Sequence, residues 1–336
     1  MHLIRSQKFI AKTGKRKKKN WAPAWQAAFF CAYLLVFCSL LGCEAKLNLS
    51  GVEKELGKSV VRTDQYQEMV LNQGTLILVG SQGLVLTSED EGVSWERRVV
   101  EGRPNFIGLT VCPDDSVLAL SFDKRIWKSA DKGRTWAASP IDTDQEVQDI
   151  CCAPDGTIWV TGSFTTLLHS RDGGGSWETT TLGEDALLTY ISFFNETTGI
   201  VAGEFGMFFK TVDGGQNWES QGKIGADLYP LAVYFKDEQT GWVGGLSGVL
   251  MKTVDGGATW TEEESGVSAP LYNFIGDGAS LYALGDQVTV LALKGDRWHQ
   301  LETPNIPVYL RAGHIRKDGQ LLAAGGWGVM LTPAMN

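Results

Sequence analysis

The sequence predicts an all-β fold, a seven-bladed β-propeller made of four-stranded antiparallel blades. Two observations predict it. The 336 residues include 40 glycines and only 10 prolines, a composition that suits short strands joined by tight turns. One motif also recurs at a nearly constant spacing, and a period of about 20 to 50 residues is typical of propellers and solenoids. We therefore expect one large ring rather than two compact domains.

The recurring motif is Ser/Thr-x-Asp-x-Gly-x-x-Trp, which occurs five times without a mismatch. Its hydroxyl and carboxylate can accept hydrogen bonds from the backbone of a tight turn, and its glycine supplies a positive φ. The tryptophan is large enough to plug the space between neighbouring sheets. We interpret all five copies, called Asp boxes below, as structural turns; a calcium or glycan contact is the functional alternative. The aspartates are spaced by 41, 41, 41 and 42 residues, and the paired positions are Asp90 and Trp95, Asp131 and Trp136, Asp172 and Trp177, Asp213 and Trp218, and Asp255 and Trp260.

Glycine-punctuated and apolar runs precede each box, so each period holds about four short strands, A to D, which make one propeller blade. Residues 281–298 are a weaker sixth copy, in which the box has shrunk to Lys-Gly-Asp at 294–296. A seventh copy begins near Val308 and ends one strand short of a blade. We expect residues 58–66 to supply the missing strand of this last blade and so to close the ring. The predicted propeller domain is 59–336. Six or eight blades are the alternatives.

The N-terminal residues predict export. Residues 1–43 carry eight Lys and Arg and no Asp or Glu, and an apolar stretch follows the basic run at 15–19. This order is typical of a signal peptide or a membrane anchor. The stretch ends Leu-Leu-Gly-Cys, which resembles a bacterial lipoprotein signal, so Cys43 is the predicted lipidation site and 44–58 a linker; an uncleaved anchor is the alternative. Either way we expect a membrane-anchored protein that faces the periplasm, or the thylakoid lumen if the source is a cyanobacterium.

Three cysteines remain in the body, Cys112, Cys151 and Cys152. They are too few and too poorly spaced for a tetrahedral zinc site, and we predict no metal and no cofactor. Because about one repeat length separates their segments, Cys112 could face Cys151 or Cys152 across neighbouring blades and form a disulfide in an exported protein. Buried free thiols are the alternative.

The repeats resemble the Asp-box, or bacterial neuraminidase repeat, superfamily. More narrowly, segments 191–218 and 233–260 resemble the photosystem II stability/assembly factor-like family, and the resemblance extends over most of the body. It implies an exported, often lipid-anchored propeller of seven blades. The best-known members help to assemble photosystem II by binding its D1 precursor, and they are said to use an arginine patch. This body is acidic instead, so a general assembly or scaffold role stays open beside the photosystem role.

Charge and motifs narrow the function classes. After residue 43 the chain has 22 basic and 39 acidic residues, a formal charge of −17, which disfavours nucleic-acid binding. The four histidines are scattered, and no HExxH, GxSxG or P-loop pattern occurs. Because sialidases also carry Asp boxes, an exported sialidase-like glycoside hydrolase is the alternative function. We expect a non-catalytic propeller that binds a membrane protein or its periplasmic or lumenal segment.

The position of the Asp boxes predicts where such a partner binds. They join strands C and D, so the B–C and D–A loops lie together at the opposite end of the ring, which we call the top face. Exposed aromatic residues with a few arginines suit protein recognition. The alternative is that these rings only pack beneath the rim. The partner-binding candidates are Phe164, Phe205 and Trp327 in B–C loops, and Phe106, Tyr229, Tyr272 and Tyr309 in one column at the D–A entries, with Arg311 nearby.

Overall fold

The computed structural model describes residues 48–225 and 228–334. The chain divides into two compact units, 1–54 and 55–336, and a short helix, α1 (Ser50–Leu56), spans the division. This helix falls in the segment predicted as a linker. The predicted signal segment and Cys43 lie outside the described residues. Among the residues that are described, no helix is both long and apolar enough to cross a membrane.

The described part of the second unit forms seven antiparallel sheets that follow one another along the chain, so the predicted seven-bladed propeller is confirmed. Strands A to D of each blade are consecutive in sequence. Blade 1 has β1 (Tyr66–Asn72), β2 (Thr75–Gly80), β3 (Leu84–Ser88) and β4 (Glu96–Val99); blade 2 has β5 (Phe106–Val111), β6 (Val117–Ser121), β7 (Arg125–Ser129) and β8 (Ala137–Pro140); blade 3 has β9 (Val147–Cys152), β10 (Ile158–Gly162), β11 (Thr166–Ser170) and β12 (Glu178–Thr181); blade 4 has β13 (Leu188–Phe193), β14 (Gly199–Gly203), β15 (Met207–Thr211) and β16 (Glu219–Lys223). Blade 5 has β17 (Ala232–Phe235), β18 (Gly241–Gly244), β19 (Leu250–Thr253) and β20 (Thr261–Glu262); blade 6 has β21 (Leu271–Gly276), β22 (Leu281–Gly285), β23 (Val290–Lys294) and β24 (Arg297–Gln300); blade 7 has β25 (Leu310–Ile315), β26 (Leu321–Gly325) and β27 (Met330–Leu331).

The hydrophobic core lies between the blades. Strands B and C are almost wholly buried, whereas strand D is exposed. The buried side chains form seven clusters, one at each interface between neighbouring blades. Each blade packs face to face against a blade on either side, so strands B and C are apolar on both faces. The cluster between blades 7 and 1 contains Leu322 and Tyr66, so the ring is closed by packing as well as by topology.

Each Asp box forms a turn whose polar groups satisfy one another. In the first box, Gly92 N donates to Ser88 Oγ at 2.8 Å and Ser94 N donates to Asp90 Oδ1 at 2.9 Å. The equivalent bonds occur in the other four boxes. Hydrogen bonds from Ser94 lower the pKa of Asp90 to about 2, so this carboxylate stays ionised at any ordinary pH.

The boxes also hold neighbouring blades together, because a box glycine lies against the preceding blade. An ideal Cβ on Gly215 would lie 2.4 Å from the Trp159 ring, and one on Gly257 would lie 2.0 Å from the Phe208 ring. Only glycine permits this approach, and the positive φ of both residues also favours it. We refer to each such contact surface on a preceding blade as a seat.

The last blade differs from the prediction. Its sheet has three strands, and no strand is assigned to residues 58–65. There, Val61 N donates to Asp64 Oδ2 and Asp64 N donates to Val61 O, so these groups are used within a turn rather than in a ladder with β27. The segment still closes the ring, since Gly328 N donates to Asp64 O at 2.9 Å, as Gly83 N donates to Pro104 O at 2.6 Å in blade 1.

Blades 2 and 3 are joined covalently by a disulfide between Cys112 and Cys152, with the Cα atoms 5.2 Å apart. The free-thiol interpretation is therefore wrong for these two residues. Cys151 is a free thiol on the opposite face of β9, where it packs in the cluster between blades 3 and 4. Burial raises the pKa of Cys151 to about 12, so it is a protonated, unreactive thiol at neutral pH.

Candidate functional site

The top face is built by B–C and D–A loops that hydrogen-bond to each other. We number four positions in each B–C loop, so that Gly203 to Gly206 are positions one to four in blade 4 and Gly245 to Gly248 are those of blade 5. In most blades the residue at position two donates to the residue that precedes strand A, as Glu204 N does to Leu187 O at 2.9 Å. The fourth residue donates to the next D–A loop, as Gly206 N does to Leu228 O at 2.7 Å. Most B–C loops are thereby fixed to two neighbouring loops through backbone groups. Side chains add to this in some blades, as where Leu187 N donates to Glu204 Oε2 at 2.8 Å.

Five large apolar side chains project from these B–C loops into solvent, and we call them the rim set. They belong to blades 2, 3, 4, 5 and 7 and are each about half exposed or more. The rim set consists of Phe122 at 62% exposure, Phe164 at 55%, Phe205 at 51%, Leu246 at 53% and Trp327 at 52%. The rim set includes all three exposed phenylalanines and the exposed tryptophan among the described residues, whereas the exposed apolar residues of the Asp boxes are valines. Exposed aromatic side chains are favoured in protein-binding surfaces.

Three members of the rim set also have an unfavourable backbone conformation. Phe164, Phe205 and Trp327 have φ values of 54°, 60° and 54°, in the left-handed region. This region costs an ordinary L-residue roughly 1 to 2 kcal/mol. The rings do not regain this cost by burial, since half of each is exposed. Gln82, Ser247 and Gln287 share this φ in other blades, so the conformation is a property of the loop rather than of the aromatic residues.

The B–C loop candidates Phe164, Phe205 and Trp327 are exposed, and their role in partner binding stays a prediction. The sequence analysis missed Phe122 and Leu246. Both occupy the second loop position, while Phe164, Phe205 and Trp327 occupy the third. Blade 2 also lacks the loop glycines that mark the other copies, reading Ser-Phe-Asp-Lys at 121–124. Alignment of the copies by their glycines therefore gave no signal for Phe122.

The D–A candidates do not form one column. Phe106 is the first residue of strand A in blade 2 and pairs with Ser121. The equivalent residue in blade 7 is Leu310, which pairs with Gly325. Tyr309 therefore lies one residue before the position of Phe106. A shift of one residue in a strand turns a side chain to the other face. Phe106 is only 1% exposed and packs against Trp127 and Trp136, and its prediction as a top-face residue is wrong.

Tyr229, Tyr272 and Arg311 lie together at the top mouth of the central channel, in a cavity of about 230 Å³. The Tyr309 ring contacts Tyr272 edge to face at 6.5 Å. All seven A strands, or the loops just before them, contribute to this cavity, which explains why no single repeat predicts it. The lining includes two carboxyl groups that the sequence analysis missed, Glu68 and Asp149.

The channel carboxyl groups are held by neutral donors. Asp149 accepts hydrogen bonds from Ile150 N at 2.9 Å and from Ile191 N of the next blade at 3.0 Å. Glu68 accepts a longer bond from Asn273 Nδ2 at 3.3 Å. Burial raises the pKa of Glu68 to about 7 and that of Asp149 to about 6, although the Arg311 guanidinium opposes both shifts. Near neutral pH the channel mouth therefore changes its charge.

We expect Glu68 to make stability depend on pH. The folded protein binds an extra proton between the ordinary pKa of glutamate and about 7, so the free energy of unfolding falls as pH rises through that window. Glu68→Gln removes the part of this dependence that Glu68 contributes and leaves that of Asp149. The variant should be more stable than the parent by about 2 kcal/mol at pH 8, but not at pH 4.5. Urea unfolding at both values measures the difference. Exposed Glu101→Gln is the control, and an equal response in both variants would contradict the assignment.

The sialidase-like alternative gains no support from this cavity. Such a site needs three arginines for the sugar carboxylate, whereas Arg311 is the only arginine in the channel lining. The described residues also include no group of three or more His, Cys, Asp and Glu side chains placed to hold a metal ion.

Part of the chain matches one family model. Residues 128–222 match the family model described as photosynthesis system II assembly factor YCF48. No curated protein matches the chain. Among solved structures, YCF48 from Cyanidioschyzon merolae is 16% identical with a TM-score of 0.64, over 81% of this chain and 96% of that one. YCF48 bound to D1 peptide is 14% identical with a TM-score of 0.64, over 83% and 94%.

A catalytically inactive variant of virginiamycin B lyase from Staphylococcus aureus, with quinupristin, has a TM-score of 0.70 at 11% identity, over 82% of this chain and 96% of that one. At such identities these likenesses show the propeller fold alone. The match of residues 128–222 to the family model adds a likeness in sequence, which the likeness in fold does not give. Together they confirm the predicted resemblance: the chain is a seven-bladed propeller, and its residues 128–222 resemble the photosystem II assembly factor family.

Proposed function

We propose that this protein is a non-catalytic assembly factor or scaffold, tethered to a membrane through residues 1–43, that binds an exposed segment of a membrane protein on its top face. The rim set carries the proposal. The family match and the D1 peptide bound to a structurally similar propeller support a protein partner of this kind.

The geometry of the rim set suits an extended or loop segment of a partner. Aromatic anchors contribute most to binding energy when they are rigid before contact, because little conformational entropy is then lost. The backbone hydrogen bonds of the B–C loops supply this rigidity. The acidic body would steer a segment with basic residues toward the face, with a rate that falls as salt rises.

We expect Phe205→Asn with Trp327→Asn to separate binding from folding. Asparagine tolerates a positive φ, so the melting temperature should stay the same or rise, whereas loss of two anchors should lower partner affinity at least thirtyfold. The measurement is recovery of membrane proteins by the full chain from detergent-solubilised membranes of its own source, quantified by mass spectrometry, and direct titration with D1 peptide.

Ser247→Asn is the matched control, because Ser247 has the same loop position and a φ of 56° but no apolar side chain. It should leave capture unchanged. Equal recovery of the same membrane proteins by the parent and the double variant would refute the rim set as the binding surface. Binding of D1 peptide alone decides between a photosystem partner and another membrane protein.

A further inference from the structure

Six of the seven blades have a β-bulge at the start of strand A. In blade 7 the bulged residue is Arg311, between Leu310 and Ala312. A bulge interrupts the regular alternation of side chains along a strand and so re-aims them. Residues at the bulge therefore reach the channel mouth beside the residues that follow them. The bulged residues in the lining of this cavity are Ile107, Gln148, Thr189, Tyr272 and Arg311.

The charged residues of the cavity lie at two levels. Glu68 and Asp149 directly follow the bulge in their strands, whereas Arg311 is the bulged residue of its own strand. Because strand A starts at the top face, the backbone of Arg311 lies one residue, about 3.3 Å, nearer to the opening. Blade 2, which lies between the two acidic strands, has Gly108 at the level of Glu68 and Asp149 and places no side chain between them.

The single cation does not balance the two carboxyl groups. Among the residues that the structure describes, no ion pair within 4.0 Å joins Arg311 to Glu68 or to Asp149. Glu68 Oε2 has only a weak contact with Asn273 Nδ2, at 3.5 Å, and can accept a shorter bond. Burial raises the pKa of both carboxyl groups although Arg311 acts against it. Once both groups are ionised, the cavity lacks one positive charge.

The neutral groups of the lining also suit a cation. The Thr189 hydroxyl is buried and has no hydrogen-bond partner among the described residues. Tyr229 and Tyr272 lie in the same lining, and aromatic faces attract cations. Burial raises the pKa of these two tyrosines and of Tyr190, so all three stay neutral at ordinary pH. The volume of about 230 Å³ is below the roughly 300 Å³ of the smallest usual small-molecule sites, which favours a single inserted side chain.

The loops around the opening are acidic as well. The D–A loops at 141–146 and 182–187 contain no lysine or arginine. Glu146 has an ion pair, at 4.0 Å with Lys124. Because opposite charges favour association, a segment that crosses the top face binds better when it carries basic residues. The exposed carboxylates of these two loops are Asp142, Asp144, Glu146, Glu184 and Asp185.

We propose that the channel mouth binds one basic side chain of the partner segment, a lysine or an arginine, with its cationic group between Glu68 and Asp149. This inference rests on the proposed function, since the side chain belongs to the segment that crosses the top face. The rim set contacts the rest of that segment, and the channel decides which of its residues lies at the centre of the ring.

The test titrates the full chain with Nα-acetyl-L-lysine methylamide, a lysine side chain without free α-ammonium or α-carboxylate groups, and with its arginine and norleucine analogues. Glutamate labelled with ¹³C at the δ-carboxyl reports on Glu68, and loss of one signal in Glu68→Gln assigns it. The lysine or the arginine probe should shift this signal and lower the pKa of Glu68, because a nearby cation favours the ionised form. The uncharged norleucine probe should do neither.

Calorimetric titration at pH 8 measures the affinity for the basic probe. Glu68→Gln should weaken binding about tenfold, although this variant is expected to be the more stable protein at that pH. Exposed Glu101→Gln, in the D–A loop between blades 1 and 2, is the matched control and should leave the affinity unchanged.

The result is separate from that of the proposed function. Phe205→Asn with Trp327→Asn should not alter the titration, because neither residue lines the cavity. An unshifted Glu68 signal with both basic probes, or an equal shift with the norleucine probe, would overturn the proposal. Binding that persists in Glu68→Gln but is lost in Arg311→Gln would also overturn it, since the occupant would then be an anion.

Discussion

Replacing Cys112 and Cys152 together with serine should lower the free energy of unfolding by about 4 kcal/mol. The disulfide closes a loop across a sequence separation of 40 residues, and a crosslink of this span restricts the unfolded chain by about that amount. It also joins blades 2 and 3, whose interface holds a full hydrophobic cluster. The midpoint of urea unfolding measures the loss.

Two controls belong to this experiment. Dithiothreitol should lower the midpoint of the parent to that of the double variant and should leave the double variant unchanged. Cys151→Ala, on the same strand but outside the disulfide, should cost only about 1 kcal/mol. A parent that unfolds at the same urea concentration with and without dithiothreitol would show that the disulfide contributes nothing to stability.

Asp64→Asn should destabilise the ring by about 3 kcal/mol, because it leaves the Arg97 guanidinium without its charge partner. Arg97 binds the carboxylate through Nη1 at 2.8 Å and Nη2 at 2.9 Å, and the Asp64 side chain is only 3% exposed. The same carboxylate accepts from Tyr66 Oη at 3.1 Å. Since Gly328 N donates to Asp64 O, the pair joins strand D of blade 1 to the last blade.

Arg97→Gln and Arg98→Gln provide a matched comparison on one strand. Arg98 pairs with Glu96, whose side chain is 65% exposed, and such exposed pairs contribute at most about 1 kcal/mol. Loss of Arg97 should therefore cost several times more than loss of Arg98, and limited proteolysis should cleave residues 57–66 faster in that variant alone. Equal costs would show that the N-terminal segment is not held by this pair.

Five of the seven blades could be predicted from the Asp box, because the residues that form its turn are fixed in type and spacing, whereas the last two were predicted from the weaker copies after residue 281. A hydroxyl, a carboxylate and a glycine at fixed offsets are needed for the bonds around Asp90, so each copy is visible without any knowledge of its neighbours. The rim residues Phe205 and Trp327 were visible because they are aromatic residues between marker glycines, whereas the aliphatic Leu246, between Gly245 and Gly248, carries no aromatic signal.

The positions of the D–A residues and of the channel carboxyl groups could not be predicted. They depend on the register of strand A and on the closing of the seven blades into a ring, which the sequence of a single repeat does not show. A β-bulge lies at the start of strand A in six of the blades. Phe106 occupies the first position of its strand, whereas Tyr309 lies one residue before the equivalent position, Leu310. Glu68 and Asp149 look like ordinary polar positions of a half-exposed strand. They become neighbours only when seven A strands meet around one channel.

The third position of the B–C loop has one backbone conformation and many side chains. Gln82, Phe164, Phe205, Ser247, Gln287 and Trp327 all have φ between 53° and 60°, although they range from a hydroxyl to an indole. The fold therefore tolerates free variation at these six places. The partner-binding surface can therefore be changed by substitution at the third loop position of one blade at a time. The backbone of the propeller stays the same, as the framework does in a library of loop variants.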